Sequence, residues 1–156
     1  MFKKILVCLD GSKLAEAILP YAVEEGQRFN GELVLFRAFS EPSTISLALP
    51  GMPGVPIDTR AKDRALVADE QETENYLQAL AAKLQAETGL TVSYAEVLGA
   101  AGPAIVTYCG QQNIELVTIA THGRSGLGRV MLGSVADHVI RHSNVPILLI
   151  RPPEGS

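Results

Sequence analysis

The stretch ELVTIATHGRSGLGRVMLGS, residues 115–134, contains the pattern that decides the fold. Its first part, 115–121, is short and rich in β-branched residues, which is typical of a strand. A glycine-rich turn with Arg124 and Arg129 follows, and its glycines stand at positions 123, 126, 128 and 133. An amphipathic segment then begins at Ser134. The order strand, glycine-rich turn, helix predicts one unit of an α/β fold.

Four further apolar runs have the length of strands: KILVCLD (4–10), ELVLFRAF (32–39), LTVSYAEVL (90–98) and PILLIR (146–151). Four of the five runs are apolar nearly throughout, as expected for strands buried on both faces of a parallel sheet. The run over 90–98 alternates between apolar and polar residues instead. We therefore expect that strand to lie nearer an edge.

Helical periodicity fills the segments between these runs. A helix capped by Ser12 is predicted to kink at Pro20 and to end at Gly31. A second helix is predicted over 62–87, with Gly89 as its stop.

Two more helices complete the pattern. One opens at Gly102 and Pro103 and runs to about Gln112, with proline in its first turn. The last starts at Ser134, where Ser134-x-x-Asp137 resembles a capping box. The order βαβαβαβαβ predicts a parallel sheet with helices on both faces. The proline-rich segment 40–60 is expected to form a long loop, either a binding lid or locally disordered.

Composition limits the classes of function. The chain has 156 residues, of which 47% are hydrophobic, and a net charge of −4, which is ordinary for one domain. A net negative charge favours neither nucleic acid nor an anionic membrane as a partner. MFKKILVCLDG has too short an apolar run for an export signal. Cys8 and Cys109 fall within apolar runs, so we expect buried, reduced thiols, as in a cytoplasmic protein.

A binding site is expected where the strand order of an open parallel sheet reverses, beyond the carboxyl ends of the strands. Asp10 ends the first strand, and the fourth runs into the glycine-rich turn. Backbone amides without bulky side chains, next to the positive end of a helix at Ser134, suit phosphate oxygens. Arg124 and Arg129 add positive charge. The residues thus favour a nucleotide whose phosphates contact 123–135 and whose ribose or base donates hydrogen bonds to Asp10.

The same glycines also fit a purely structural role as turns and helix caps. Two enzyme classes are disfavoured: GRVMLGS (128–134) lacks the lysine of a phosphate-binding loop, and LDGSKLAE (9–16) holds only Gly11 of a dinucleotide fingerprint.

Residues 2–152 resemble the universal stress protein family, on the opening KKILVCLDGS and the close THGRSGLGRVMLGSVADHVIRHSNVPILLIRP. ATP-binding members carry G-x-x-G, nine residues, then G-[ST]. Gly123, the nine residues 124–132 and Gly133-Ser134 match the second part, whereas Ala120 replaces the first glycine.

The resemblance implies a set of contacts with the nucleotide. Asp10 would contact the ribose and the adenine side, Ala38 the adenine edge through its backbone, and Ile119 the wall of the base pocket. Gly99 would form a backbone-lined turn near the base. The phosphate and ribose contacts would come from Gly123, Gly133, Ser134 and Val135.

We interpret the chain as a single Rossmann-like doubly wound domain over 1–152, with strand order 3-2-1-4-5 and a tail over 153–156. The expected ligand is ATP, or AMP or cyclic AMP, with Mg²⁺ as a further candidate. The expected assembly is a homodimer through the last strand, as the family commonly forms, and the expected role is a cytoplasmic response to stress.

No catalytic constellation and no metal site is predicted. His138 and His142, one helical turn apart, are expected to face solvent, and His122 to make a structural hydrogen bond. Two alternatives remain open: a nucleotide-free interaction protein, with Ala120 as the sign of a lost site, and a slow ATP hydrolase using His122 and Asp10.

Overall fold

The computed structural model describes residues 1–39, 59–121 and 132–152, and side chains in the second range from residue 63 onward. The strands are β1 (Lys4–Cys8), β2 (Glu32–Phe39), β3 (Val92–Leu98), β4 (Leu116–Ala120) and β5 (Ile147–Ile150). The helices are α1 (Lys13–Glu16), α2 (Leu19–Phe29), α3 (Thr59–Thr88), α4 (Ala101–Gln112) and α5 (Ser134–His142).

The five strands form one sheet in the order β3-β2-β1-β4-β5, and every pairing is parallel. This confirms the predicted α/β class and strand order. β1 lies at the centre, with Ile5 opposite Leu33 of β2 and Leu116 of β4. The chain moves outward from β1 in one direction through β2 and in the other through β4. The carboxyl ends of β1 and β4 therefore border the crevice where ligands bind in such sheets.

The core consists of one apolar cluster on each face of the sheet. On one face, which we call the α3 face, Val7 and Leu35 pack with Leu77 of α3. On the other, the α4 face, Phe36 and Ile105 pack with Val139 of α5. Because neighbouring strand residues point to opposite faces, a strand covered on both sides must be apolar throughout.

The two edge strands differ from this pattern. β3 exposes Ser93 and Tyr94, which confirms the predicted edge position. β5 lies at the opposite edge, and its four residues are all half-buried. The expectation that β5 is buried on both faces is therefore wrong for the single chain.

The first predicted helix is two helices. Ser12 Oγ accepts a hydrogen bond from Ala15 N at 3.1 Å and so caps α1, as expected. α1 ends after one turn, and α2 begins at Leu19 with Pro20 in its first turn. Proline lacks the amide that a helix interior needs but fits a first turn, so the chain breaks before Pro20 and does not kink at it.

The end of α2 also differs from the prediction. Asn30 takes the left-handed conformation at the C-cap, with φ 49°, and Gly31 follows it. Gly31 is needed for a different reason: a Cβ there would lie 2.5 Å from the carbonyl oxygen of Phe2. This close approach brings the end of α2 next to the start of β1.

The other helix boundaries lie close to the prediction. α3 begins at Thr59, three residues before the predicted start, so the end of the predicted loop is helical. The rest of that loop, 40–58, lies outside the described residues. Gly89, with φ +71°, ends α3 as predicted, and α4 carries Pro103 in its first turn. In the described ranges, no helix combines the length and apolar character needed to cross a membrane.

The two cysteines are free and buried on the α4 face, as predicted. Burial raises the pKa of the Cys8 thiol far above its usual range and that of Cys109 to about 11. Both thiols are therefore protonated at neutral pH and act as small apolar groups.

Candidate functional site

A cavity of about 240 Å³ opens at the carboxyl ends of β1 and β4. This is the crevice where the strand order reverses. Seven of the predicted binding residues line it: Asp10, Ala38, Ile119, Ala120, Gly133, Ser134 and Val135. They come from four separate parts of the chain, and the parallel sheet brings them together.

The cavity has an apolar floor that the sequence analysis did not identify. Cys8 and Phe36 contribute from the sheet, Ile105 from α4 and Ala136 from α5. Cys8 and Phe36 share a face because the register of β1 and β2 places them opposite each other, which the sequence does not show. Nor does the sequence show which helix covers them, because helix packing depends on residues far apart in sequence. An apolar floor with a polar rim suits a flat ring that carries polar substituents.

Asp10 lies exposed at the rim, at the start of the Asp10 loop, which we define as residues 10–12. Its Oδ1 accepts a hydrogen bond from Ser12 N at 2.8 Å. Gly11 has φ +83°, a conformation that side chains with a Cβ rarely adopt. The turn fixes the carboxylate beside the cavity, where it can accept hydrogen bonds from a ligand.

The start of α5 forms a second polar part of the rim. Gly133 is the N-cap, and no side chain among the described residues caps the helix. The predicted capping box is therefore wrong, because Ser134 is already the first helical residue. Asp137 instead accepts a bifurcated hydrogen bond from the single Nε–H of Arg141, with both carboxylate oxygens 2.9 Å from Nε. Helix amides without an intrahelical partner, together with the positive end of the helix dipole, are the groups that bind anions in proteins.

Thr121 positions this helix start, and the sequence analysis missed its role. Its Oγ1 accepts a hydrogen bond from Gly133 N at 3.1 Å, and its own N donates to Ile150 O at 2.9 Å. The side chain is only 3% exposed. The signal available in the sequence was a threonine directly after an apolar strand. Thr121 thus joins the end of β4 to the N-cap of α5 across a loop.

Ala120, which replaces the first motif glycine, lines the cavity and also packs against the apolar cluster on the α3 face. Its neighbour Ile119 packs on the α4 face, where the floor lies. Successive strand side chains point to opposite faces, so the Ala120 methyl points away from the floor.

Other predicted residues lie elsewhere. Gly99, with φ +147°, lines a second cavity of about 300 Å³ between β3 and α4. The rings of Phe36 and Tyr108, 5.1 Å apart, stand between the two cavities. His122, Gly123, Arg124 and Arg129 lie outside the described residues.

The two histidines of α5 differ in environment. His142 is exposed as predicted, whereas His138 is half-buried against Gly102 of α4. Their rings stack at 4.2 Å, and His142 Nδ1 lies 2.8 Å from His138 O. Among the residues with described positions, no three His, Cys, Asp or Glu side chains are placed to hold a metal ion.

A model of the universal stress protein family matches residues 1–151. The universal stress protein YxiE of Bacillus subtilis is 31% identical over 154 residues, which cover 97% of this chain and all of the relative. A universal stress protein of Synechocystis is 29% identical over 155 residues, which cover 96% and 98%.

Solved structures share the fold. MJ0577, a protein of Methanocaldococcus jannaschii, superposes with a TM-score of 0.79 at 23% identity and covers 99% of both chains. A universal stress protein in complex with cAMP has a TM-score of 0.64 at 19% identity over 96% and 97% of the chains. An Arabidopsis thaliana family protein with AMP bound has a TM-score of 0.65 at 15% identity over 97% and 93%.

Proposed function

The chain belongs to the universal stress protein family, and from that premise we propose that it binds an adenine nucleotide in the cavity between β1, β4 and α5. ATP is the proposed ligand, and occupancy regulates the conformation or the partners of a cytoplasmic stress-response protein. The folded unit is proposed to span 1–152, with 153–156 as a tail.

The observation that carries this proposal is that one cavity is lined by an apolar floor and by the first residues of α5. Phe36 offers a flat ring and Ile119 an aliphatic side chain to a base, while Gly133, Ser134 and Val135 line the same cavity. Asp10 also lines it and suits the ribose hydroxyls, since an ionised carboxylate only accepts hydrogen bonds.

The triphosphate is proposed to extend from the α5 start toward Gly123, Arg124 and Arg129. Helix amides and arginine side chains both stabilise phosphate oxygens. Gly133, Ser134 and Val135 would contact the phosphates and ribose, and Ala38 the base edge through its backbone. Gly99 is proposed to act from outside the cavity, by setting the turn before α4.

Mg²⁺ is proposed to arrive with the ATP phosphates. This ion keeps several waters and needs only one or two protein carboxylates beside the phosphates. Asp10 is the carboxylate at the rim. We expect the affinity for ATP to fall when EDTA removes Mg²⁺. The affinity for AMP should stay constant.

Two relatives with bound ligands guide the choice of nucleotides to test, since one holds AMP and another cAMP. We expect ATP to bind most tightly in calorimetry against AMP and cyclic AMP, because only ATP carries the β- and γ-phosphates that are proposed to contact Arg124 and Arg129. Mass spectrometry of ligand released on denaturation tests whether nucleotide copurifies. Equal or absent binding of all three would contradict the ATP proposal.

The two alternatives give different results in the same assays. A nucleotide-free interaction protein binds none of the three ligands. A slow ATP hydrolase binds ATP and also releases ADP over time. Of the two candidate residues for hydrolysis, Asp10 lines the cavity and His122 lies outside the described residues.

A homodimer through β5 is proposed as the assembly. β5 is an edge strand of four half-buried apolar residues, and a second copy would cover it. A two-fold axis would pair the two β5 strands antiparallel, since it places the same surface on both copies.

A further inference from the structure

We infer that Tyr76 and Glu16 are positioning residues that hold the Asp10 loop in its binding conformation, from the α3 face of the sheet. The inference rests on the proposed nucleotide site, because it assigns residues that tune that site without touching the ligand. Neither residue lines the cavity.

The Asp10 loop leads into a helix that is too short to be stable alone. α1 has four residues. Forming a single helical turn is unfavourable, because the loss of backbone entropy exceeds the free energy gained from its few hydrogen bonds. Its local supports are the Ser12 cap and the burial of Ala15, whose side chain also lines the cavity. Tertiary contacts must therefore hold both the helix and the loop before it.

A hydrogen bond from α3 supplies such a contact. Tyr76 Oη donates to Glu16 Oε1 at 3.0 Å, and this bond joins residues 60 positions apart. It is part-buried, so water competes less for it than for a surface bond. The bond fixes the last residue of α1 to the long helix α3.

Arg37 of β2 extends the contact to the loop itself. Its guanidinium carbon lies 5.8 Å from the centroid of the Tyr76 ring. The same guanidinium lies under Gly11, where an added Cβ would be 3.4 Å away. Tyr76 thus supports the loop by two routes, through Glu16 and through Arg37.

The charges around Tyr76 agree with this geometry. Burial raises the pKa of its hydroxyl far above the usual range, and the hydrogen bond and charge of Glu16 raise it further. The positive charge of Arg37 lowers this pKa, and the negative charge of Asp10 raises it. The hydroxyl is protonated at every pH of interest and remains a donor to Glu16.

These contacts favour high affinity because a loop already held in place loses less entropy when a ligand binds. The conservative variant Tyr76→Phe keeps the ring beneath Arg37 and deletes only the hydroxyl. We expect it to weaken ATP binding about threefold to tenfold, the range for one lost hydrogen bond. Tyr94→Phe, at an exposed tyrosine on β3, is the matched control and should bind as wild type does.

Variants of Glu16 distinguish a positioning role from a general effect on stability. Glu16→Ala should weaken ATP binding as Tyr76→Phe does. Glu16→Gln keeps an oxygen that accepts from Tyr76 and should restore affinity to within about twofold of wild type. The double variant Tyr76→Phe/Glu16→Ala should bind no more weakly than either single variant, because both remove one bond.

The test is calorimetric titration with ATP well below each melting temperature, with circular dichroism to establish folding. If the wild type binds ATP, and the variants Tyr76→Phe and Glu16→Ala bind ATP as tightly as the wild type does, the positioning role is wrong. The proposed site then stands. If Glu16→Gln binds as weakly as Glu16→Ala, the hydrogen bond is not the cause. If wild type binds no nucleotide, the proposed function fails first.

Discussion

At the scale of single residues, the cavity depends on small side chains and on polar groups at the strand ends. Gly133 has φ −59°, which any residue can adopt, and a Cβ there would lie 3.6 Å from Thr121 Oγ1, an ordinary contact. Among the described residues, neither backbone strain nor crowding requires glycine at this position. In the proposed site, glycine would allow close approach of a phosphate.

Gly133→Val therefore tests the phosphate contact without disturbing the fold. We expect ATP binding to weaken at least tenfold, about 1.4 kcal/mol, because the side chain blocks close approach to the helix amides. The measurement is calorimetry. Gly110→Val, on an open part of α4, is the control and should leave affinity unchanged. Unchanged affinity in a folded Gly133→Val protein would remove this contact from the proposed site.

Ala120→Gly tests the departure from the family motif. The methyl packs with the cluster on the α3 face and points away from the floor. We expect ATP affinity within about threefold of wild type and a loss of about 1 kcal/mol in unfolding free energy, from strand glycine and lost packing. Titration and urea denaturation measure the two effects. Binding by the glycine variant alone would show that the methyl closes the site.

At the scale of elements, helix packing places the parts of the cavity. α4 and α5 meet at Gly102, where an added Cβ would lie 2.9 Å from Cβ and two ring carbons of His138. The contact is closer than side chains tolerate, so glycine is required for this approach. It brings the start of α5 next to the floor.

Gly102→Ala should consequently destabilise the protein by about 1–3 kcal/mol, since α5 must move away or His138 must change rotamer. Gly110→Ala, eight residues along the same helix with nothing within 4 Å of the new Cβ, should instead stabilise by about 0.5–1 kcal/mol. Urea denaturation of both variants measures the difference in sign. Two stabilising alanines would contradict the close packing.

The packing of α3 on β3 makes a pH-dependent contribution. Burial raises the pKa of Glu96 above 4.5, and the charges of Glu74 and Glu70 raise it further. Its Oε2 is buried and, within the described residues, has no hydrogen-bond partner. The folded state binds the proton more tightly than the unfolded state, so this contribution to stability falls as pH rises from 4.5 through the raised value.

Glu96→Gln removes the buried charge and should raise the melting temperature at about pH 7, where a glutamate is ordinarily ionised. The gain should shrink as pH falls toward 4.5, where wild-type Glu96 is increasingly protonated. Thermal unfolding followed by circular dichroism at both pH values measures it. Glu72→Gln, at an exposed position of α3, is the control. An equal gain in melting temperature at both pH values would contradict the raised pKa of Glu96.

At the scale of the whole molecule, β5 forms an edge of the sheet among the described residues, and this edge is the surface of the proposed dimer. The carbonyl oxygens of Pro146 and Ile150 accept hydrogen bonds from β4, at Val117 N and Thr121 N. In a parallel pair, alternate residues turn both backbone groups to the same neighbour. The amides of Ile147 and Leu149 therefore point to the free edge.

Leu149→Pro deletes an outward amide and leaves the bonds with β4 in place. We expect a shift from dimer to monomer in sedimentation at micromolar concentration, with helical circular dichroism retained. Leu148→Pro is the contrasting variant, because residue 148 faces β4, and it should destabilise the fold itself. A wild-type protein that sediments as a monomer would refute the proposed dimer.

The sequence by itself determined the set of strands and predicted the region of the candidate site, while the strand order was predicted together with the family resemblance. Apolar runs separated by helical periodicity imply a parallel sheet, and a parallel sheet brings the ends of β1 and β4 to one edge. Asp10 and the start of α5 could be predicted to meet for that reason alone. The local pattern was sufficient for these predictions, because each apolar run or helical period is set by a few neighbouring residues.

Only the tertiary structure decided which side chains share a surface. It placed Gly99 beside a second cavity, turned the Ala120 methyl toward the α3 face and made Thr121 the support of Gly133. It also replaced the predicted capping box by an Asp137–Arg141 pair. These contacts depend on the register of strands and the approach of helices, which are set by packing between residues far apart in the chain.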